Sequence, residues 1–115
     1  MTRERVDALV VLMDAIFTNQ RRQIAELAAK KRLPAVYGNI EYAEAGGLIA
    51  YSANFLDVWR RAATFVDKIL KGAKPADLPV AQPTKFELVI NLRTAKAIRL
   101  TISPSLLQRA DQIID

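Results

Sequence analysis

The chain has 115 residues, enough for one domain with a real core, and its 51% hydrophobic and 25% charged composition is that of a folded protein. It contains neither cysteine nor histidine, which excludes disulfides, thiol nucleophiles, Zn-finger and Fe–S sites and every Ser–His or Cys–His catalytic arrangement. The net charge of +5 permits an anionic partner without requiring one; the densest cationic run, Lys30, Lys31 and Arg32, stands where a helix ends and suits its dipole, so nucleic acid is not an expected partner.

Residues 6–13 are almost continuously apolar around Val10 and Val11, the pattern of a strand buried on both faces of a parallel sheet. A helical pattern follows. Thr18 or Asn19 is its cap, Ile24, Leu27 and Ala28 form a narrow apolar stripe, and Arg21, Arg22, Glu26, Lys30 and Lys31 face water. Pro34 stops that helix, and residues 34–37 read as a second strand closed by Gly38. Strand, helix, strand is a right-handed βαβ unit. Residues 39–47 read as a loop with room for one helical turn, and residues 48–51 as a third strand.

The clearest element opens at the cap Asn54 and ends before Gly72. Phe55, Val58, Trp59, Ala62, Val66, Ile69 and Leu70 share one face, which makes Trp59 a core or interface residue. Asp57 with Arg61, and Asp67 with Lys71, are favourable i,i+4 pairs. Pro75, Pro79 and Pro83 make the stretch 72–85 an extended surface connector. Residues 86–91 read as a fourth strand, 94–98 as a helical turn and 100–102 as the place for a fifth strand. Ser103 and Pro104 then open a last helix with Leu106, Leu107, Ala110, Ile113 and Ile114 on its apolar side. The order of elements predicts a single α/β domain over 1–115, a small and mainly parallel sheet flanked by helices.

No apolar stretch is long enough to span a bilayer. The charged N-terminal residues have no apolar segment behind them of the kind that directs export, so the chain as written is expected in the cytoplasm.

Motifs for catalysis are missing. There is no phosphate-binding P-loop, no G-x-G-x-x-G and no G-x-S-x-G elbow. Asp14, Glu41 and Glu44 are the acids closest to forming a pair, but a strand end and a solvated loop suit them better than acid–base work, so no enzyme activity is expected. Position is more informative than motif. In open α/β sheets ligands bind past the carboxyl ends of the strands. Asp14, Phe17, Thr18, Tyr37, Asn39 and Tyr51 stand there, with Ser52 and Asn54 beside them. Aromatic faces interleaved with short polar groups suit a small polar or aromatic ligand; each residue taken singly fits equally well as a core plug or helix cap. Gly46 and Gly47 precede a strand, which suits a joint and not a phosphate cradle.

Several blocks resemble a known family. Residues 7–12 (Asp-Ala-Leu-Val-Val-Leu), 23–29 (Gln-Ile-Ala-Glu-Leu-Ala-Ala) and 33–37 (Leu-Pro-Ala-Val-Tyr) are similar to the C-terminal part of ABC-transporter substrate-binding proteins of the tryptophan/tyrosine type. The blocks 44–51 (Glu-Ala-Gly-Gly-Leu-Ile-Ala-Tyr), 71–79 (Lys-Gly-Ala-Lys-Pro-Ala-Asp-Leu-Pro) and 86–91 (Phe-Glu-Leu-Val-Ile-Asn) carry the resemblance most specifically. It implies a flavodoxin-like lobe of an incomplete type I periplasmic binding protein, with Asp14 to Thr18 lining the cleft and Gly46 and Gly47 as hinge. It implies a small organic solute such as an amino acid, an ABC permease as partner, a periplasmic location, and neither cofactor nor metal. Arg99 stands where such proteins often have Gly, Ser103 where they often have Pro, and the loop around Asp14 lacks their prolines. An apolar face without its second lobe would self-associate, so a homodimer is expected, in its swapped form by exchange of the long helix. The alternative reading is a cytoplasmic, dimerising interaction or regulatory domain that has lost solute binding.

Overall fold

The structure, a computed structural model, describes residues 6–115; the N-terminal charges at positions 3–5 lie outside the described residues. In chain order it forms β1 (Leu9–Val11), α1 (Ala15–Asn19), α2 (Arg21–Lys30), β2 (Ala35–Tyr37), α3 (Glu41–Glu44), β3 (Ile49–Ala53), α4 (Phe55–Leu70), β4 (Phe86–Asn91), α5 (Leu92–Ala97), α6 (Pro104–Arg109) and β5 (Gln112–Ile114). The five strands make one sheet in the order β1-β2-β3-β4-β5. β1 and β2, β2 and β3, and β4 and β5 pair in parallel. Asn91 at the end of β4 donates to the Leu48 carbonyl just before β3, at 2.8 Å, and Asn54 just after β3 donates to the Lys85 carbonyl just before β4, at 2.8 Å; opposite ends meet, so β3 and β4 run antiparallel. The mainly parallel α/β sheet expected from the sequence is the observed fold.

Packing divides the chain into two compact units. The larger holds the described residues up to Ser52 together with Glu87–Asp115; the smaller is Ala53–Phe86. The larger unit buries Tyr37 and Tyr42 with Ala28 and Ala35, Val89 with Ala43 and Ala50, and Leu48 with Ala95 and Ile98. Asn91 joins this core as a polar strut: its side-chain amide donates to the Ala43 carbonyl at 3.0 Å while its oxygen caps α5 through Thr94 N at 3.1 Å.

Several sequence expectations need correction. β1 covers three residues and not 6–13, and Val10 is exposed, because β1 lies at the edge of the sheet. The first helix starts earlier than Thr18: the Asp14 carboxylate caps α1 by accepting from Ile16 N at 2.8 Å, and α2 is a separate helix. Ala28 is buried and Ile24 packs against the core as expected, but Ala25 takes the place expected of Leu27, which faces out. The fifth strand is at 112–114, not 100–102. Asp111 makes two 2.8 Å hydrogen bonds with Leu88, its backbone N–H donating to the Leu88 carbonyl and its side-chain carboxylate accepting from Leu88 N, which fixes Ile113 and Ile114 beside β4 instead of on the last helix.

α5 ends in strain. Arg99 sits at φ +61 just past the helix, where Leu100 N closes the turn on the Ala95 carbonyl at 2.8 Å. A side chain in this left-handed region costs about 1–2 kcal/mol, and glycine, which pays more entropy, avoids most of it. Arg99→Gly is expected to raise the melting temperature by a few degrees; a lower melting temperature would show that the Arg99 side chain carries more than the strain.

In the smaller unit Asn54 caps α4 by accepting from Asp57 N at 3.0 Å, and Gly72 closes the helix at φ +108. The connector is not wholly extended, since residues 75–77 make a 3-10 turn. Asp67 and Lys71 pair at 3.2 Å as expected. Asp57 does not pair with Arg61: it meets Lys85 at 3.6 Å, and Arg61 donates to the Gln82 carbonyl at 3.1 Å, because the returning connector offers both groups better partners. No residue of α4 is buried, so Trp59 is a surface residue and not core.

Candidate functional site

The parallel register sets the ends of β1 and β2 side by side, while β3 runs on beyond them to Ala53. Val11 is opposite Tyr37, and Tyr37 is opposite Ala50. Gly38 N donates to the Val11 carbonyl at 3.0 Å, and a Cβ on Gly38 would stand 3.2 Å from Met13 N, so the chain leaving β2 lies directly against the chain leaving β1. This edge gathers the residues that the sequence singled out. Asp14 caps α1 there, and Asn39 forms a turn just ahead of α3, accepting from Glu41 N at 3.1 Å. Phe17 and Thr18 lie on α1, and Tyr51 is exposed on β3.

Tyr37 is placed differently: it is 1% exposed and its ring stacks on Tyr42 at 4.5 Å between centroids with a 13° interplanar angle. It backs the rim from within the core. Gly46 and Gly47 serve this stack as well. Gly46 closes α3 at φ +105, and Gly47 N donates to the Tyr42 carbonyl at 2.7 Å.

Tyr42 is the residue that sequence reasoning missed. It is fully buried, and no hydrogen bond of good geometry reaches its hydroxyl among the described residues. Burial pushes its pKa up; the Thr18 side chain and the Arg21 guanidinium act in the opposite sense, and Asp14 in the same sense as burial. Thr18 therefore lies on the hydroxyl's side without completing a full bond. An unsatisfied buried hydroxyl costs about 1–3 kcal/mol, so Tyr42→Phe, which keeps the stacked ring, is expected to raise the melting temperature by about 4 °C or more. A fall on calorimetry would mean that the Thr18 contact outweighs the burial.

Beside this edge lies an open polar hollow of about 310 Å³, lined by Asn19, Arg21, Arg22, Glu41, Glu44 and Ala45. Arg21 donates to the Thr18 carbonyl at 2.9 Å and approaches Glu41 at 3.9 Å. Glu41 thus meets arginine, and Glu44 lines the same hollow. The alternation of cations at 21–22 with acids at 41–44 is the signal that could have paired these segments. Among the described residues no helix is long and apolar enough to cross a membrane.

A small, mainly parallel sheet flanked by helices, with caps and aromatic rings near its strand ends, is the fold of this α/β lobe. The chain belongs to the ABC transporter substrate binding protein family, whose sequence model matches residues 1–114. Among solved structures, an ABC domain from Streptococcus pneumonia in complex with L-Trp is 28% identical, with a TM-score of 0.87 over 98% of this chain and 38% of that one. A conserved domain protein from Vibrio cholerae O1 biovar eltor superposes with the same TM-score of 0.87 at 24% identity, over 93% of this chain and 36% of that one. A ligand-free, open substrate-binding protein with adhesive properties from Clostridium difficile gives 0.66 at 19% identity, over 93% and 36%. The chain therefore spans less than two-fifths of the length of these solved proteins. Among curated proteins none matches.

Proposed function

We propose that the chain is a solute-binding component, or a part of one, of an ABC importer, holding a small organic solute such as an amino acid without chemical change. The observation that carries this reading is the convergence of Asp14, Phe17, Thr18, Asn39 and Tyr51 on one edge of the sheet, in a chain whose family binds substrates for transport. Phe17 and Tyr51 offer faces for stacking, Tyr37 stiffens the rim from behind, and Thr18 and Asn39 offer hydrogen bonds. Gly46, at φ +105, is kept as the joint ahead of β3, together with Gly47. L-Trp, bound by the pneumococcal neighbour, is the first solute to test. The partner in this reading is an ABC permease and the compartment the periplasm.

The test is a melting curve with L-tryptophan and a panel of other amino acids. A ligand at a hundred times its Kd adds about 2.7 kcal/mol, which moves the melting temperature well beyond error. Phe17→Ala should abolish the shift while leaving the unliganded melt unchanged. A panel without any shift overturns solute binding by this chain.

The exposed apolar side of α4 favours a second reading, an interaction domain that forms a homodimer, with exchange of the α4 segment as its swapped form. In that reading solute binding is lost, so the melting curve with the amino-acid panel separates the two.

A further inference from the structure

We propose that Asn91 and Thr94 are positioning residues for the rim: from the junction of β4 and α5 they fix α3, and with it Asn39, Glu41 and Glu44. The proposal rests on the solute-binding reading above and names what holds its site in shape. α3 has four residues, a single turn, and a helix that short does not hold its place in water by its own bonds. Its last carbonyls have no full set of partners inside the helix and are met from outside. Here they are met from 48 residues away. The Asn91 side-chain amide donates to the Ala43 carbonyl at 3.0 Å, and the Thr94 hydroxyl donates to the Gly46 carbonyl at 2.8 Å. The two donors are one helical turn apart, as are the two acceptors, so the bonds act as one clamp.

The clamp is itself held. Asn91 is 4% exposed; its backbone N–H donates to the Leu48 carbonyl at 2.8 Å, and its side-chain oxygen accepts from Thr94 N at 3.1 Å. One asparagine thus ties the end of α3, the entry to β3 and the start of α5, a set that needs a donor and an acceptor on the same side chain. The site hangs on the helix so fixed. Asn39 makes the turn that leads into it, Glu41 and Glu44 line the hollow with Arg21 and Arg22, and Tyr42 stacks behind the rim on Tyr37. Any turning at the Gly46–Gly47 joint has to break the Thr94 bond, so α3 moves with β4 and α5 and not with β3 alone.

Thr94→Val, which keeps the shape and removes the hydroxyl, and Thr94→Ser, which restores it, test the proposal. Without solute, the amide resonances of the isotope-labelled chain should move in Thr94→Val at Asn39, Ile40 and Glu41 as well as at residues 43–47, and return toward their wild-type positions in Thr94→Ser. Asn91→Asp, which keeps the size and cannot donate to Ala43, should reproduce the Thr94→Val shifts. Shifts confined to residues 43–47 in either variant overturn the proposal for that residue. With L-tryptophan, titrated well below the melting temperature, Thr94→Val should bind about tenfold more weakly and Thr94→Ser within about threefold of wild type. A merely structural role lowers the melting temperature and leaves that affinity alone, so an unchanged affinity overturns the proposal. A wild-type chain that does not bind L-tryptophan or any of the other amino acids removes the solute reading by itself; the resonances of Asn39 and Glu41 still decide whether Thr94 and Asn91 set the turn.

Discussion

Tyr37→Ala is expected to destabilise the larger unit by about 3–5 kcal/mol, against a total of about 5–15 kcal/mol for an ordinary domain. The ring is fully buried, stacks on Tyr42 and is packed against Leu9, Val11 and Ile24 around Ala28 and Ala35. None of these neighbours can collapse into the space, because β1, β2 and α2 are fixed by backbone pairing and by the Pro34 turn. Urea denaturation should show the midpoint falling with the slope unchanged. The same residue gives an alkaline signature. Burial, and then the neighbouring Tyr42, push the Tyr37 phenol up to about 12. In the unfolded chain it ionises near 10, so the folded state holds its proton longer. Stability is intact below pH 10 and is lost as pH rises from 10 toward 12, at a limit of about 1.4 kcal/mol for each unit of difference. Tyr37→Phe should flatten that decline; an identical alkaline profile would place the titration elsewhere.

Gly47→Ala is the second large effect. A Cβ there would stand 2.7 Å from Cε2 of Tyr37 and 2.8 Å from the Tyr42 carbonyl oxygen. The carbonyl is backbone and already bonds Gly47 N at 2.7 Å, and the ring is clamped in its stack, so neither can retreat. Overpacking of this kind costs about 1–3 kcal/mol, or roughly 5–15 °C in melting temperature. Gly46 differs, since a Cβ there meets nothing within 4 Å and the penalty is purely that of φ +105. A Gly47→Ala variant melting with the wild type would show that the stack between Tyr37 and Tyr42 is looser than its geometry.

How much of this was legible before folding depended on range. Caps were readable where one side chain serves its own helix, as at Asn54 and Ser103, because the interaction spans three residues. The α4 boundaries followed from the same local logic. Edge position was not readable: Val10 looks central by composition, and only the sheet order shows that β1 has one neighbour among the described residues. Ile113 and Ile114 fit a helix as well as a strand, and the choice was made by Asp111 reaching back to Leu88, a partner 23 residues away. The rim residues were found by strand ends, a local feature. Tyr42 was missed because its importance comes from Tyr37, Gly47 and Thr18 converging on it, and no spacing rule encodes that convergence.

The antiparallel junction between β3 and β4 has an evolutionary consequence. Two adjacent antiparallel strands need only a two-residue turn to connect them. Here the chain instead makes an excursion from Ala53 to Phe86, and its two feet are tied by the Asn54 to Lys85 contact. Topologically that excursion is an enlarged hairpin tip. Its length and surface can diverge between descendants, by insertion or trimming, without altering the pairing order of the sheet that carries it.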